Sequence, residues 1–387
     1  MNILFIFHSP IIPQNGGVER VTSLLGTELK RRGHNIYYLA TRSFNPSQRL
    51  DTNQLVIDCT NGFERASKTY LELLTKYKIE IVISQEATKQ SINLLRITPS
   101  PIKKISVFHI QPFPYAGKER IIKKNSHPTD LARKCYRLFS ILFPQIFHYR
   151  SLMQGRRVFN EMYAVSDRIV LLSNQFVARL RKYMPNIPRS CLSAINNPNT
   201  FDYSNNSDLS KEKTIIFVGR LDEPQKNVLG FIKMWKLLSR DLPDWKAIII
   251  GDGSVRNLCE KYVKEKQIKN LTFVGKQSDV CKFYKRASFV CLTSHFEGWG
   301  MVLTEGMSLG CIPVCFDSYE SCHDIIEDGV DGIIAKAFSC TDMASRIKEI
   351  AVNPTLFTTM SNKAKNKIRN FDISIIATEW ETLLTDV

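Results

Sequence analysis

Two glutamates with seven residues between them, Glu297 and Glu305, sit in the apolar stretch "SHFEGWGMVLTEGMSLG" that runs from Ser294 to Gly310. An ionised carboxylate only accepts hydrogen bonds, so a pair at a strand-to-helix junction can grip a hydroxyl-rich ligand. It can equally form a solvated charge pair or cap a helix. The preceding "SFVCLTS" has the character of a buried strand, "HFEGWG" of a turn, and "MVLTEGMSLG" of a helix. Glu297 then falls in the turn and Glu305 about one turn into the helix. The first amides of that helix, at Gly300 and Met301, lack intrahelical acceptors and suit a phosphate.

Three further stretches put chemistry at strand ends. In "FVGRLDEPQKN", Arg220 and Lys226 lie six positions apart beyond a strand. A guanidinium fork and a mobile ammonium can neutralise a diphosphate without a metal; two solvated cations balanced by Asp222 and Glu223 fit as well. "IIIGDGS" places Gly251 and Gly253 at the same sheet end, either beside a ligand or simply in a tight β-α turn. "HSPIIPQNGGVERV" places Gly16 and Gly17 before a helix expected to start near Val18. Paired glycines permit positive φ and close ligand approach, although they also serve purely structural turns. The third glycine of a dinucleotide fingerprint is missing.

The elements that must position these residues alternate short apolar runs with amphipathic ones, the pattern of β-α units around parallel sheets. In the first half, strands are expected at "NILFIFH", "NIYYLAT", "LVIDC", "IEIVIS", "KKISVFH" and "RIVLLS". The polar stretch from Asn196 to Lys213 suits a linker. A second series then starts, with "TIIFVG", "KAIIIG", "LTFVG", "SFVCLTS" and "IPVCF". A chain of 387 residues favours two domains, and two Rossmann-like domains would leave a ligand cleft at the carboxyl ends of their sheets. No run of about 18 apolar residues appears, and "MNILFIFHSP" reads as a first strand rather than a signal peptide. Ten cysteines show no paired ligand spacing; Cys311 and Cys315, in "CIPVCF", suit reduced buried thiols in a cytoplasmic protein.

The formal net charge of +16 is uneven. Residues 1–200 hold 29 Lys/Arg against 12 Asp/Glu, whereas residues 201–387 hold 24 against 25. No acidic residue occurs from Leu131 to Asn160, which contains Arg133, Lys134, Arg137, Arg150, Arg156 and Arg157. Such a patch attracts polyanions or an anionic membrane surface, unless it is merely a solvated basic face. The helical excursion from Thr129 to Ala164, interrupted at Pro144, carries the apolar run "LFSILF". That run suits lying on a membrane or burial as an interdomain helix. Aromatic-basic interleaving of the single-strand nucleic-acid binders is absent, so no nucleic-acid partner is expected.

The two glutamates, the "GGVER" loop and the "FVGRL…K" pair resemble the retaining glycosyltransferases of family 4 over essentially the whole chain. That resemblance implies an α/β protein of GT-B fold, with two Rossmann-like domains facing each other across a cleft. Residues 1–200 would bind acceptor, 201–372 would bind a nucleotide sugar, and 373–387, "ISIIATEWETLLTDV", would cross back onto the first domain. It implies Arg220 and Lys226 on the donor diphosphate, Glu305 on the ribose, Glu297 on the transferred sugar, and Gly16 and Gly17 closing on phosphate and sugar. His109, in "ISVFHIQPFP", matches a histidine beside the reacting centre, although alone it suits a packed strand end. The expected activity moves a hexose or N-acetylhexosamine from a UDP-sugar, or a GDP-sugar, to a glycan, polyprenyl-diphosphate-linked or lipopolysaccharide acceptor. No Asp-x-Asp motif occurs, so neither metal nor cofactor is expected; the nucleotide sugar is a co-substrate. The expected setting is bacterial envelope polysaccharide synthesis, on the inner face of the plasma membrane. A GT-B phosphorylase or epimerase and a non-catalytic GT-B scaffold are the alternatives. "FDSYESCHDIIEDGVDG" departs from the glycine-rich turn of many relatives, leaving donor choice open.

Overall fold

β1 (Asn2–Phe7) reads NILFIF, and five of its six residues are buried. Strands covered by helices on both faces need such continuous apolar runs rather than alternation. The same character recurs in both halves of the chain and yields two all-parallel sheets. The computed structural model describes all residues except 43–52, 61, 117, 119–121, 123–130, 202–209 and 223–224, and residues 131–134 by their backbone alone.

The first sheet adds β2 (Asn35–Ala40), β3 (Gln54–Val56), β4 (Ile81–Ser84), β5 (Lys103–Phe108), β6 (Arg168–Leu171) and β7 (Leu192–Ala194). Its order is β3-β2-β1-β4-β5-β6-β7. The second contains β8 (Glu212–Val218), β9 (Lys246–Ile250), β10 (Leu271–Gly275), β11 (Ala287–Leu292), β12 (Ile312–Phe316) and β13 (Ile333–Ala335). Its order is β10-β9-β8-β11-β12-β13. In each sheet the winding reverses once, between β1 and β4 and between β8 and β11. At such a switch point the flanking connections run to opposite faces and leave a crevice beyond the strands' carboxyl ends. Register places Ile6 beside Ser84 and Phe217 beside Cys291, so the residues that follow each pair emerge side by side.

The chain forms two compact units. The first comprises residues 1–112, 152–200 and 371–387, and the second 113–151 and 201–370. Unlike the boundaries expected from the sequence, residues 113–151 group with the second unit. Contacts within that unit give the reason: Tyr115 meets Phe296 edge-on with centroids 5.3 Å apart, and Lys118 Nζ donates to the Ser318 carbonyl. Residues 202–209 of the expected linker, 196–213, lie outside those described.

The first unit's core joins Ile3, Phe5, Ile83 and Val107 to Ile376, Ala377, Trp380 and Leu384 of the helix Ile373–Asp386. Asp372 caps that helix by accepting from Ser374 N at 2.8 Å. Glu381 then accepts from Arg32 at 2.7 Å and bonds His34 at 3.0 Å. The second unit's core is centred on Phe217, Phe231, Trp235 and Phe289. All ten cysteines are free thiols.

Candidate functional site

At the switch point of the second sheet, the loops after β8 and β11 are stitched together. Asn227, held at φ 47, accepts from Gly230 N at 3.2 Å and so caps the helix Val228–Leu238. Its amide also donates to Thr293 O at 3.0 Å, and Thr293 Oγ1 returns a bond to Asn227 O at 3.0 Å. Nearby along the two loops, His295 N donates to Gln225 O at 2.8 Å.

This stitching delivers Lys226 to Glu297. Lys226 Nζ donates to Glu297 Oε1 at 2.7 Å, and only 16% and 8% of the two side chains is exposed. Ser294 Oγ donates to the same oxygen at 2.6 Å, and Gln225 Nε2 to Oε2 at 3.2 Å. Three donors converge on one buried carboxylate and fix its direction. Glu305 is the fifth residue of the helix Met301–Ser308, and its Oε2 accepts from the buried Tyr284 hydroxyl at 2.9 Å. The helix opens at Gly300, at φ 98, with no side-chain cap. A Cβ there would stand 3.1 Å from the Tyr319 hydroxyl, so glycine is needed for both conformation and space.

Arg220 is not drawn into this network. It is largely exposed and pairs with Asp222 at 3.5 Å. Asp222 in turn accepts from Ser254 N and Oγ, both at 3.3 Å; Glu223 lies outside the described residues. Gly251 and Gly253 have a backbone reason to be glycine. A Cβ at Gly251 would lie 1.8 Å from Gly219 O, and one at Gly253 2.6 Å from Leu221 O. Both allow the loop after β9 to pack against that after β8. Among the described residues, Asp317, Cys322 and His323 bring possible metal-ligand atoms within 4.8 Å of one another. These are already engaged: His323 bonds Asp317 at 2.9 Å, and the Cys322 thiol donates to Tyr319 O.

The first unit has its own polar cluster where its winding reverses. His8 follows β1 and bonds Glu86 at 2.7 Å through Nδ1. His109 follows β5, and its Nε2 bonds Gln85 Oε1 at 2.5 Å. Burial pushes the His109 imidazole down to about 4, so it is neutral at pH 7 and donates from Nε2 to Gln85. Sequence reasoning singled out His109 but missed His8, Gln85 and Glu86. The signal for them was position, immediately after the strands that flank the switch point. Tyr284, in "CKFYKR", carried no signal. Gly16 is extended at φ −173 and Gly17 already opens the helix Gly17–Arg31, so the expected positive φ is absent at Gly16. A Cβ at Gly16 would instead meet the Glu19 carboxylate at 2.5 Å.

The six cations of the acid-free stretch are not one cluster of free charges. Arg157 pairs with Glu161 at 2.9 Å, and Arg156 donates to Tyr183 O at 3.3 Å. Arg150 is exposed and Arg137 half-buried. Arg133 and Lys134 lie on the helix Leu131–Leu142, beyond the described side chains.

The second sheet, the Lys226–Glu297 pair and the Glu305-bearing helix lie within a family match. The family described as Glycosyl transferases group 1 matches residues 200–367. The match lies within the C-terminal half of the chain. An uncharacterised glycosyltransferase of Haemophilus influenzae is 22% identical over 379 residues, covering 95% of this chain and 96% of its own. A Campylobacter jejuni enzyme, named as an α-1,4-N-acetyl-D-galactosaminyltransferase acting on a GalNAc-GalNAc-diNAcBac-diphospho-undecaprenol, is 31% identical over 187 residues. That alignment covers 48% of this chain, which spans about half of the Campylobacter enzyme (52%). Anabaena HepE, solved with UDP and glucose, has the same fold: TM-score 0.74 with 16% identity, covering all of both chains. The fold is GT-B. No helix among the described residues is long and apolar enough to cross a membrane.

Proposed function

We propose that the chain transfers a hexose or N-acetylhexosamine from a nucleotide diphosphate sugar, UDP-linked in preference to GDP-linked, with retention of configuration. The acceptor is a membrane-borne glycan: a polyprenyl-diphosphate-linked oligosaccharide or a lipopolysaccharide core. The observation that carries this reading is the buried Lys226–Glu297 pair at the switch point of the second sheet. It holds a carboxylate and an ammonium fixed where an α/β sheet takes its ligand.

In this assignment Glu305 takes the ribose hydroxyls and Glu297 the transferred sugar. Lys226, Arg220 and the amides of Gly300 and Met301 receive the charge that grows on the departing diphosphate. Preorganised donors of this kind supply the largest share of barrier lowering in many enzymes. They do so without a metal, and resident cofactors are not required. The first unit takes the acceptor, with neutral His109 offering Nδ1 as a hydrogen-bond acceptor while Gln85 fixes the ring. Gly16 and Gly17, at the uncapped start of their helix, are assigned to donor phosphate or sugar. UDP is preferred because HepE binds it, and the acceptor class follows the name of the Campylobacter relative.

The test is acceptor-independent hydrolysis of UDP-, GDP- and ADP-sugars in the presence of EDTA, with wild type beside Glu297→Gln. Turnover of one donor, at least 100-fold slower in the variant, is the expected outcome. A requirement for divalent metal refutes the metal-free mechanism. Absence of both hydrolysis and calorimetric donor binding leaves the non-catalytic scaffold as the better account. Phosphate-dependent sugar release identifies a phosphorylase.

A further inference from the structure

We propose that the helices Leu131–Leu142 and Pro144–Tyr163 present, between residues 136 and 150, a surface that inserts into an anionic bilayer. The inference rests on the membrane-borne acceptor proposed above and names the part of the chain that meets the lipid. Of the 14 exposed large hydrophobics among the described residues, eight fall between positions 136 and 153. They therefore form a patch rather than the scattered exposure ordinary surfaces show.

The first of these helices has its polarity inverted. Leu138, Phe139 and Leu142, on one side at helical spacing, are 59%, 46% and 62% exposed. Ser140 is fully buried on the other side and satisfies its hydroxyl on Arg137 O at 2.8 Å. A helix packed for water shows the reverse. The outward stripe continues past the turn through Phe143, Ile146 and Tyr149, the last 64% exposed. Ring contacts hold the pair as one body: Tyr136 with Phe147 at 4.9 Å and Phe139 with Phe147 at 5.9 Å. Pro144 at the first helical position turns the chain without an orphan amide.

Charge selects the occupant. Arg137 and Arg150 lie on these helices, and no carboxylate occurs from residue 131 to 160. An anionic headgroup layer complements that rim while the apolar stripe reaches the acyl boundary. A second copy of this chain does not fit as well: a two-fold contact would bring each basic rim against its own image.

Co-sedimentation of the full chain with vesicles of phosphatidylcholine, alone or mixed with phosphatidylglycerol, tests the proposal. The variants are Leu138→Gln/Leu142→Gln, Arg150→Gln and Leu142→Trp, with donor hydrolysis followed in the same preparations. Wild type is expected to bind the mixed vesicles, the double leucine variant at least tenfold less, and Arg150→Gln a few-fold less. In the Leu142→Trp variant, emission of the introduced indole is expected to shift to the blue on mixing with vesicles. Each variant should hydrolyse donor at the wild-type rate. Three results overturn the proposal. They are wild type that ignores both vesicle types while hydrolysing donor, binding unchanged by the leucine substitutions, or dimerisation abolished by those same substitutions. Loss of donor hydrolysis in wild type strikes the transferase reading alone, because vesicle binding is scored separately.

Discussion

Lys226→Met should destabilise the second unit far more than a change at a surface lysine would. Its ammonium lies 2.7 Å from Glu297 Oε1, with 16% and 8% of the side chains exposed. Removing one partner of a buried pair leaves the other charge uncompensated, at a cost of about 3–5 kcal/mol. Glu297 keeps the Ser294 and Gln225 donors, which places the expectation near the lower end, about 3 kcal/mol. Glu297→Gln leaves an ammonium that can turn toward water and an amide oxygen that Ser294 can still meet, so about 1 kcal/mol is expected. With both charges gone, the double variant should recover about 2 kcal/mol of the summed loss, a coupling that only interacting residues show. Urea titrations followed by tryptophan fluorescence suit the measurement, because Trp235, Trp245 and Trp299 report on the second unit and Trp380 on the first. The single Lys226→Met change should also lower Tm by about 6–12 °C, at roughly 2–4 °C per kcal/mol for a unit of this size. Single losses that add to within about 0.5 kcal/mol would refute the inference that these two residues hold each other.

Tyr284→Phe removes the phenol bound to Glu305. Since a hydrogen bond to a charged group contributes about 1.5–3 kcal/mol, the KM for nucleotide sugar should rise at least tenfold with kcat nearly unchanged in steady-state assays. Gly251→Ala drives a methyl against Gly219 O at φ +139 and should cost about 3 kcal/mol or more in thermal melts. Gly329→Ala, at φ +77 with open space around it, should cost only about 1 kcal/mol. His109 titrates near 4 when folded but at its ordinary 6.5 when unfolded. The unfolded chain therefore binds more protons between these values, and stability should fall by up to about 3 kcal/mol as pH drops from 6.5 to 4. His109→Gln should flatten that slope in urea titrations across the same range.

The fold class was legible because strands buried on both faces must be written as runs such as NILFIF and SFVCLTS. β7 and β13 escaped notice: each is three residues at a sheet edge, LSA and IIA, too short to show a pattern. Residue types in the candidate site were legible for a similar reason, since Glu297 and Glu305 stand out in an apolar, glycine-rich stretch and Lys226 follows a strand end. Their connectivity was not. The partner of Glu297 lies 71 positions earlier and that of Glu305 lies 21 earlier, and only the parallel sheet brings them together. Gly251 and Gly253 show the opposite difficulty, because a glycine required by a neighbouring backbone has the same letter as one that makes room for a ligand. The grouping of residues 113–151 with the second unit depended on aromatic side chains, Tyr115 on Phe296 among them, whose meeting no local spacing announces.

The return of the helix Ile373–Asp386 to the first unit sets an order of events during synthesis. Ile376, Ala377, Trp380 and Leu384 complete a core begun by Ile3 and Phe5, yet they leave the ribosome only after every residue of the second unit. The N-terminal sheet must therefore wait, with the groove for this helix open, while the later unit assembles. Vectorial folding from the amino end, the usual course for chains of several domains, is inverted for the last step. A nascent chain arrested before residue 371 should carry an exposed apolar groove for chaperones to bind, and release of the final segment should close it.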